Sequence, residues 1–276
     1  MVPRLLKTGI RRVFQAAGWD IRRLSHLNEG SRPRVTVLHS LQQARNVGFL
    51  PTTVLDIGAA FGSFAQECRT IFPEARYLLL EPLREYLPVL ERLKRTMPGM
   101  DVLCAAASSV SGEIDIHVHP DLVGSSLYRE VEQGTDVNGV PRRVRAVTID
   151  SVVREQRVAG PFLLKLDVQG AELDVLNGAN ATLRDCEFAV LEVSFFKFFD
   201  RGIECCDLLT SMRDRGFVPY DIVGLQYRPL DRALSQADIV FVRERGQFRR
   251  HHYYATPEQR ARQTELMQAE LSRLLP

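Results

Sequence analysis

The sequence lacks most of what would mark a secreted, membrane-spanning or nucleic-acid-binding chain. It has five cysteines, Cys68, Cys104, Cys186, Cys205 and Cys206, an odd number with no C-x-x-C pair. That usage argues against a disulfide framework and a zinc site, and fits a reducing cytoplasm. No apolar run approaches the length of a bilayer-spanning helix. The N-terminus is positive but has no continuous apolar core and no small-residue cleavage site, so no signal peptide is expected. The net charge of +2 is too small to point to a nucleic-acid surface. No internal repeat or low-complexity tract is visible. What remains is an ordinary globular composition, 45% hydrophobic over 276 residues. This suits one large α/β domain with appendages or two small domains.

Periodicity orders the chain. Leu5, Leu6, Ile10, Val13, Phe14 and Ala17 fall at helical spacing between Arg4, Lys7, Arg11 and Arg12. The first thirty residues therefore read as an amphipathic helix docked on the body. Weak peripheral contact with an anionic membrane surface is the sharper alternative, without stable insertion. A second helix is expected over 35–48. Strands then alternate with helices: strands over 53–57, 77–81, 101–106, 162–168 and 187–193, with helices over 63–71, 83–95 and 171–178. A helix over 204–215 precedes two closing strands, 217–223 and 238–243, of which at least one is antiparallel. Residues 113–119 and 142–149 alternate as a β-hairpin around a long polar loop, 120–141, which is expected to be mobile. A charged helix over 257–275 packs on the body or on a second subunit, leaving a homo-oligomer open. The division is 1–50 as an N-terminal helical segment, 51–246 as the main domain with its insertion at about 112–150, and 247–276 as a helical tail. Recurrent strand–helix–strand units imply a Rossmann-like, mostly parallel seven-stranded sheet with helices on both faces. Right-handed crossovers gather the strand-end loops in one crevice.

The most informative stretch is Thr53–Pro82. An apolar run ends in Asp56, followed by Ile57-Gly58-Ala59-Ala60-Phe61-Gly62-Ser63, a helical pattern, the run Tyr77-Leu78-Leu79-Leu80, and Glu81-Pro82. This is how a βαβ unit builds a nucleoside pocket. Gly58 and Gly62 permit unusual dihedrals and a close ligand. The following helix directs free N–H groups at the turn. Glu81 stands where an acid accepts hydrogen bonds from both ribose hydroxyls. A dinucleotide or S-adenosylmethionine fits such a site. The dinucleotide form wants a third glycine; here an acid, Asp56, precedes the turn. It repels a pyrophosphate but suits a cationic amino-acid group, which favours S-adenosylmethionine.

A second constellation is Lys165-Leu166-Asp167-Val168-Gln169-Gly170-Ala171-Glu172. Strand alternation puts Lys165 and Asp167 on one face, and a charged pair at a strand end is costly to bury without a purpose or a partner. Asp167 is thus a candidate base or acceptor-orienting group, against the simpler reading of a structural pair with Lys165. Glu192, late in its strand, is second. Glu172 is weaker, since a helix's first turn favours an acid anyway. Phe195, Phe196, Phe198 and Phe199 line an acceptor pocket or belong to the core. His117 and His119 share a hairpin face, but no third ligand is evident, so no metal is expected.

These segments resemble the FkbM family of S-adenosylmethionine-dependent methyltransferases. The likeness is carried by Val54–Phe64, Glu81-Pro82, Gly124–Leu127, Lys165–Ala179 and Val190–Ser194, and covers about 54–243. The Lys165–Ala179 block is the most specific. Ala60 departs from the pattern, standing where the family commonly has Asn in G-A-N-x-G. The resemblance implies a class I methyltransferase fold and O-methylation of a hydroxyl on a sugar, polyketide-type or other small-molecule or glycan acceptor. It implies that Asp56, Gly58, Ala59, Gly62 and Ser63 hold the methionine moiety and Glu81 with Pro82 the ribose. Ala105 and Ala106 border the adenine, and Gly124–Leu127 approaches the acceptor side. The rivals are a nicotinamide oxidoreductase and a non-catalytic protein that shares the fold.

Overall fold

Near-continuous apolar runs bounded by turn residues assemble side by side into one sheet. In a computed structural model, residues 33–132 and 135–274 are described. The amphipathic segment expected over the first thirty residues lies outside them. Helix α1 (Val37–Asn46) leads to β1 (Thr53–Ile57), α2 (Ser63–Ile71), β2 (Arg76–Leu80), α3 (Leu87–Thr96) and β3 (Met100–Leu103). After an insertion come β7 (Phe162–Leu166), α5 (Glu172–Asn177), β8 (Cys186–Ser194), α6 (Cys205–Asp214), β9 (Phe217–Tyr227) and β10 (Leu234–Arg243). The insertion carries β4 (Ala106–Ala107), β5 (Gly112–Val118), β6 (Val140–Val147) and α4 (Ile149–Glu155). The tail ends in α7 (Pro257–Leu274), which has no buried residue.

The expected seven-stranded sheet is present, in the order β3-β2-β1-β7-β8-β10-β9. The first five strands are parallel, and β10 runs antiparallel to both its neighbours. Strand β1 is buried throughout, as a central strand covered on both faces must be. On one face Leu55, Ile57, Leu78, Leu164 and Leu166 pack with Val152, Val175 and Leu208 of α4, α5 and α6. On the other, Val54, Tyr77, Leu79, Leu163 and Phe188 pack with Leu41, Ala65 and Leu90 of α1, α2 and α3. The Ser40 hydroxyl ties α1 to Asp221 on β9 at 2.7 Å. Beyond Gly246, Phe248 packs against Phe49, Phe188 and Tyr220.

Two local expectations are corrected. The strand expected over 101–106 ends at Leu103; Ala106 and Ala107 leave the main sheet and pair with β6 in a separate three-stranded sheet, β4-β6-β5. Alanines carry no alternation that would show such a bend. The strand expected to reach residue 149 stops at Val147, because the Thr148 side chain accepts the Ser151 N–H and starts α4. The 120–141 loop is fastened where it is described. His117 pairs with Ser126 and Glu130 with Phe199 as isolated bridges, and the Tyr128 hydroxyl donates to Asp174 at 2.6 Å. These ties fold the loop back over the carboxyl ends of the strands.

Candidate active site

The carboxyl ends of β1, β2 and β7 open into a cleft. Its floor is Ile57, Gly58 and Ala60 after β1. Leu80, Glu81 and Pro82 form one wall, Asp167, Val168 and Gln169 the other. Ala105–Ala107 also line the cleft, and Ile116, Leu122 and Ser125–Leu127 of the insertion form the cover. The Gly124–Leu127 segment, expected on the acceptor side, thus places three of its residues over the same cleft as Glu81 and Ala106.

Register brings the charged groups together. Asp56 on β1 lies between Leu79 of β2 and Lys165 of β7. Asp56 is fully buried, and neither carboxylate oxygen makes a hydrogen bond among the described residues. Burial pushes its pKa up to about 7, with Asp167 and Glu81 adding to the rise and Lys165 and the nearby Ala65 amide opposing it. Asp56 does not line the cleft, although its neighbour Ile57 does. Gly58 is in the floor at φ +76°, and a side chain there would strike the Asp167 carbonyl; its smallness brings the end of β7 against the turn. Gly62, at φ +74°, starts α2, and a Cβ there would meet Leu93 at 2.7 Å. Gly62, Ala59 and Ser63 stand outside the lining, and packing of α2 against Leu90 and Leu93 of α3 also requires glycine at position 62.

Glu81 is 4% exposed. Its oxygens accept the backbone N–H groups of Ala60 and Leu83, each at 2.8 Å. A carboxylate has about four acceptor positions, so two remain for a vicinal diol. Burial raises its pKa, and those two amides oppose the rise. The Ala60 amide reaches Glu81 with Ala60 at φ +45°, a region that favours Gly or Asn over Ala.

On the other wall, the Lys165 ammonium donates to Asp167 at 2.9 Å and reaches the Gly58 carbonyl at 3.5 Å. Burial alone would lower the lysine pKa; Asp167 and Asp56 outweigh it and hold the group charged. Gln169 was not singled out from the sequence. It sits at φ +51°; its amide donates to Asp167 at 2.9 Å and to Glu192 at 3.0 Å, and its carbonyl accepts the Ser126 hydroxyl. Glu192 also receives Gln226 at 3.1 Å and Gln236 at 2.8 Å. Burial raises the Glu192 pKa well above the usual carboxylate range, with Asp167 and Asp238 adding to it. Asp238, across the β8–β10 ladder from Glu192, is pushed by burial up to about 6. Glu192 and Lys165 lie outside the cleft lining and Asp167 within it. Glu172 is buried beneath the turn, pushed up to about 7, and accepts the Gly170 N–H. Of the aromatic run, Phe199 is core against Tyr128 and Ala171, and Phe196 carries the Arg228 guanidinium at 3.8 Å. His119 pairs with Asp121 at 2.6 Å. Among the described residues no group of three or more His, Cys, Asp or Glu is placed to hold a metal ion.

A mostly parallel seven-stranded sheet with a buried acid near the end of β1, an acid after β2 and a cleft at these strand ends is a Rossmann-like class I methyltransferase fold. Residues 56–219, more than half of the chain, match the family described as the methyltransferase FkbM domain; the chain belongs to that family, and its cofactor is S-adenosylmethionine. It is 29% identical to methyltransferase sdnD of Sordaria araneosa over 46% of this chain and 60% of that protein. To the hexuronic acid methyltransferase AglP of Haloferax volcanii it is 26% identical, over 50% of this chain and 54% of that one. The chain thus spans little more than half the length of either relative. Among solved structures, a methyltransferase FkbM from Methylobacillus flagellatus KT superposes with a TM-score of 0.45 at 17% identity, covering 68% of this chain and 43% of that one. Aeropyrum pernix fibrillarin with bound S-adenosyl-L-methionine gives 0.43 at 14%, covering 74% of each. The lining fits the cofactor: two open acceptor positions on Glu81 suit its ribose, and next to the lining residue Ile57 the Asp56 carboxylate makes no hydrogen bond among the described residues.

Proposed function

We propose that the protein transfers the methyl group of S-adenosylmethionine to a hydroxyl on a sugar, polyketide-type or other small-molecule or glycan acceptor. The observation that carries this reading is one cleft with Glu81 on one wall and Asp167 on the other. When bound, the cofactor supplies an electrophilic methyl group. In this proposal Asp56 and the Gly58–Ser63 turn, with Ala59 and Gly62, hold the methionine end. Glu81 and Pro82 hold the ribose, and Ala105 and Ala106 flank the adenine. Asp167 orients the acceptor hydroxyl and takes its proton. Lys165 and Gln169 occupy only part of its acceptor capacity, which leaves room for an O–H. Glu192, engaged by three amides behind that wall, is the second candidate. Positioning the acceptor and excluding water supply much of the rate in a displacement of this kind; a general base adds roughly 10²–10⁴-fold. One relative, a hexuronic acid methyltransferase, supports a carbohydrate acceptor as the first class to try.

The test is a calorimetric titration with S-adenosylhomocysteine and, in parallel, NAD⁺. Transfer of label from S-adenosyl-[methyl-³H]methionine to a panel of hexuronic acids, neutral sugars and hydroxylated polyketides follows. Binding of S-adenosylhomocysteine and label on a hydroxyl support the reading. Binding of NAD⁺ alone would favour the oxidoreductase, and binding of neither ligand the non-catalytic alternative.

A further inference from the structure

Among the described residues, the hydroxyl of Tyr86, between β2 and α3, has no partner. The residue is 3% exposed and lines the same cleft as Glu81. Its ring packs edge-on against Phe61, with centroids 4.8 Å apart. The hydroxyl itself is buried and makes no hydrogen bond among the described residues. Phenylalanine would pack the same ring without the cost of burying an unsatisfied O–H. Glu81, Glu85 and Asp121 lie close enough to act on the phenol electrostatically, and with burial they keep it protonated. It is a donor in need of an acceptor. Glu81, beside it in the wall, is the complement, a carboxylate that only accepts. Each hydroxyl of a vicinal diol both donates and accepts: it can give its proton to Glu81 while its oxygen receives one from elsewhere.

We propose that Tyr86 is a cofactor-binding residue whose hydroxyl donates to the ribose of the bound adenosyl group while Glu81 accepts from the same diol. The inference rests on the proposed reading of the cleft as an S-adenosylmethionine site and names a residue of that site. Its signature is a pair of opposite effects. Removing the hydroxyl takes a contact from the complex and an unsatisfied group from the free protein. Tyr86→Phe is therefore expected to bind S-adenosylhomocysteine about 2–13-fold more weakly by calorimetry, the range for one neutral hydrogen bond. Adenosine, which carries the same ribose, loses affinity by a similar factor. The ligand-free variant unfolds at the same temperature as wild type or higher. Affinity within about twofold of wild type overturns the inference, as does a lower unfolding temperature, which would mean that the hydroxyl has a partner within the protein. If the wild-type protein itself fails to bind S-adenosylhomocysteine, the reading of the cleft falls and this inference with it.

Discussion

Replacing Asp56 by Asn tests the electrostatics of the cleft without requiring the acceptor. The carboxyl is fully buried, makes no hydrogen bond among the described residues, and is raised from 3.8 to about 7. At ~1.4 kcal/mol per pKa unit, its ionisation in the ligand-free fold costs about 4 kcal/mol at pH 8 but only about 2 kcal/mol at pH 5. The sign follows from the raised value: stability is full below the unfolded pKa and is lost as pH rises toward about 7. An asparagine cannot ionise, so its own burial cost is the same at every pH. The stability of Asp56→Asn relative to wild type should therefore improve by about 2–3 kcal/mol between pH 5 and pH 8. Urea unfolding at both pH values measures that difference directly, and thermal scans should show it as roughly 5–10 °C. Parallel pH profiles for the two proteins would refute the reasoning. The same carboxylate should make cofactor binding pH-dependent. A cation beside Asp56 favours its charged form, so affinity rises through pH 7 and a proton is released, detectable by calorimetry in buffers of differing ionisation enthalpy.

Other perturbations separate the walls of the cleft. Asp167→Asn should lower turnover on an accepted substrate by roughly 10²–10⁴-fold while S-adenosylhomocysteine affinity stays within about threefold; near-normal turnover would make Asp167 structural. Ala60→Asn should stabilise the protein by about 0.5–1 kcal/mol, because Asn tolerates the left-handed backbone at this position. A raised unfolding midpoint checks this, and a lowered one would mean that the added side chain collides with the turn.

Much of this arrangement was legible in the chain. The alternation of apolar runs with helical patterns placed β1, β2, β7 and β8 and put Asp56, Glu81 and Asp167 at strand ends, because a buried parallel sheet leaves near-continuous apolar runs. The rest depends on tertiary return. Ile116, Leu122 and Leu127 reach the cleft only because the insertion folds back, fastened by Ser126 and Tyr128. Tyr86 reads as one more aromatic at a helix start, and its orphaned hydroxyl is visible only after packing. Gln169 reads as a turn residue, whereas its bridge between Asp167 and Glu192 depends on two neighbouring strands ending together. Gly62 carries a demand the motif does not show: a Cβ there would meet Leu93 at 2.7 Å, so packing also requires glycine at that position. The bend after Leu103 passes through alanines that carry no period to reveal it.

The most direct measurement is a crystal structure of the protein with S-adenosylhomocysteine. The account predicts the ribose on Glu81 and the homocysteine end over the Gly58 turn, its sulfur facing Asp167. A nucleoside bound elsewhere, or one turned so that its sulfur points away from Asp167, would contradict it.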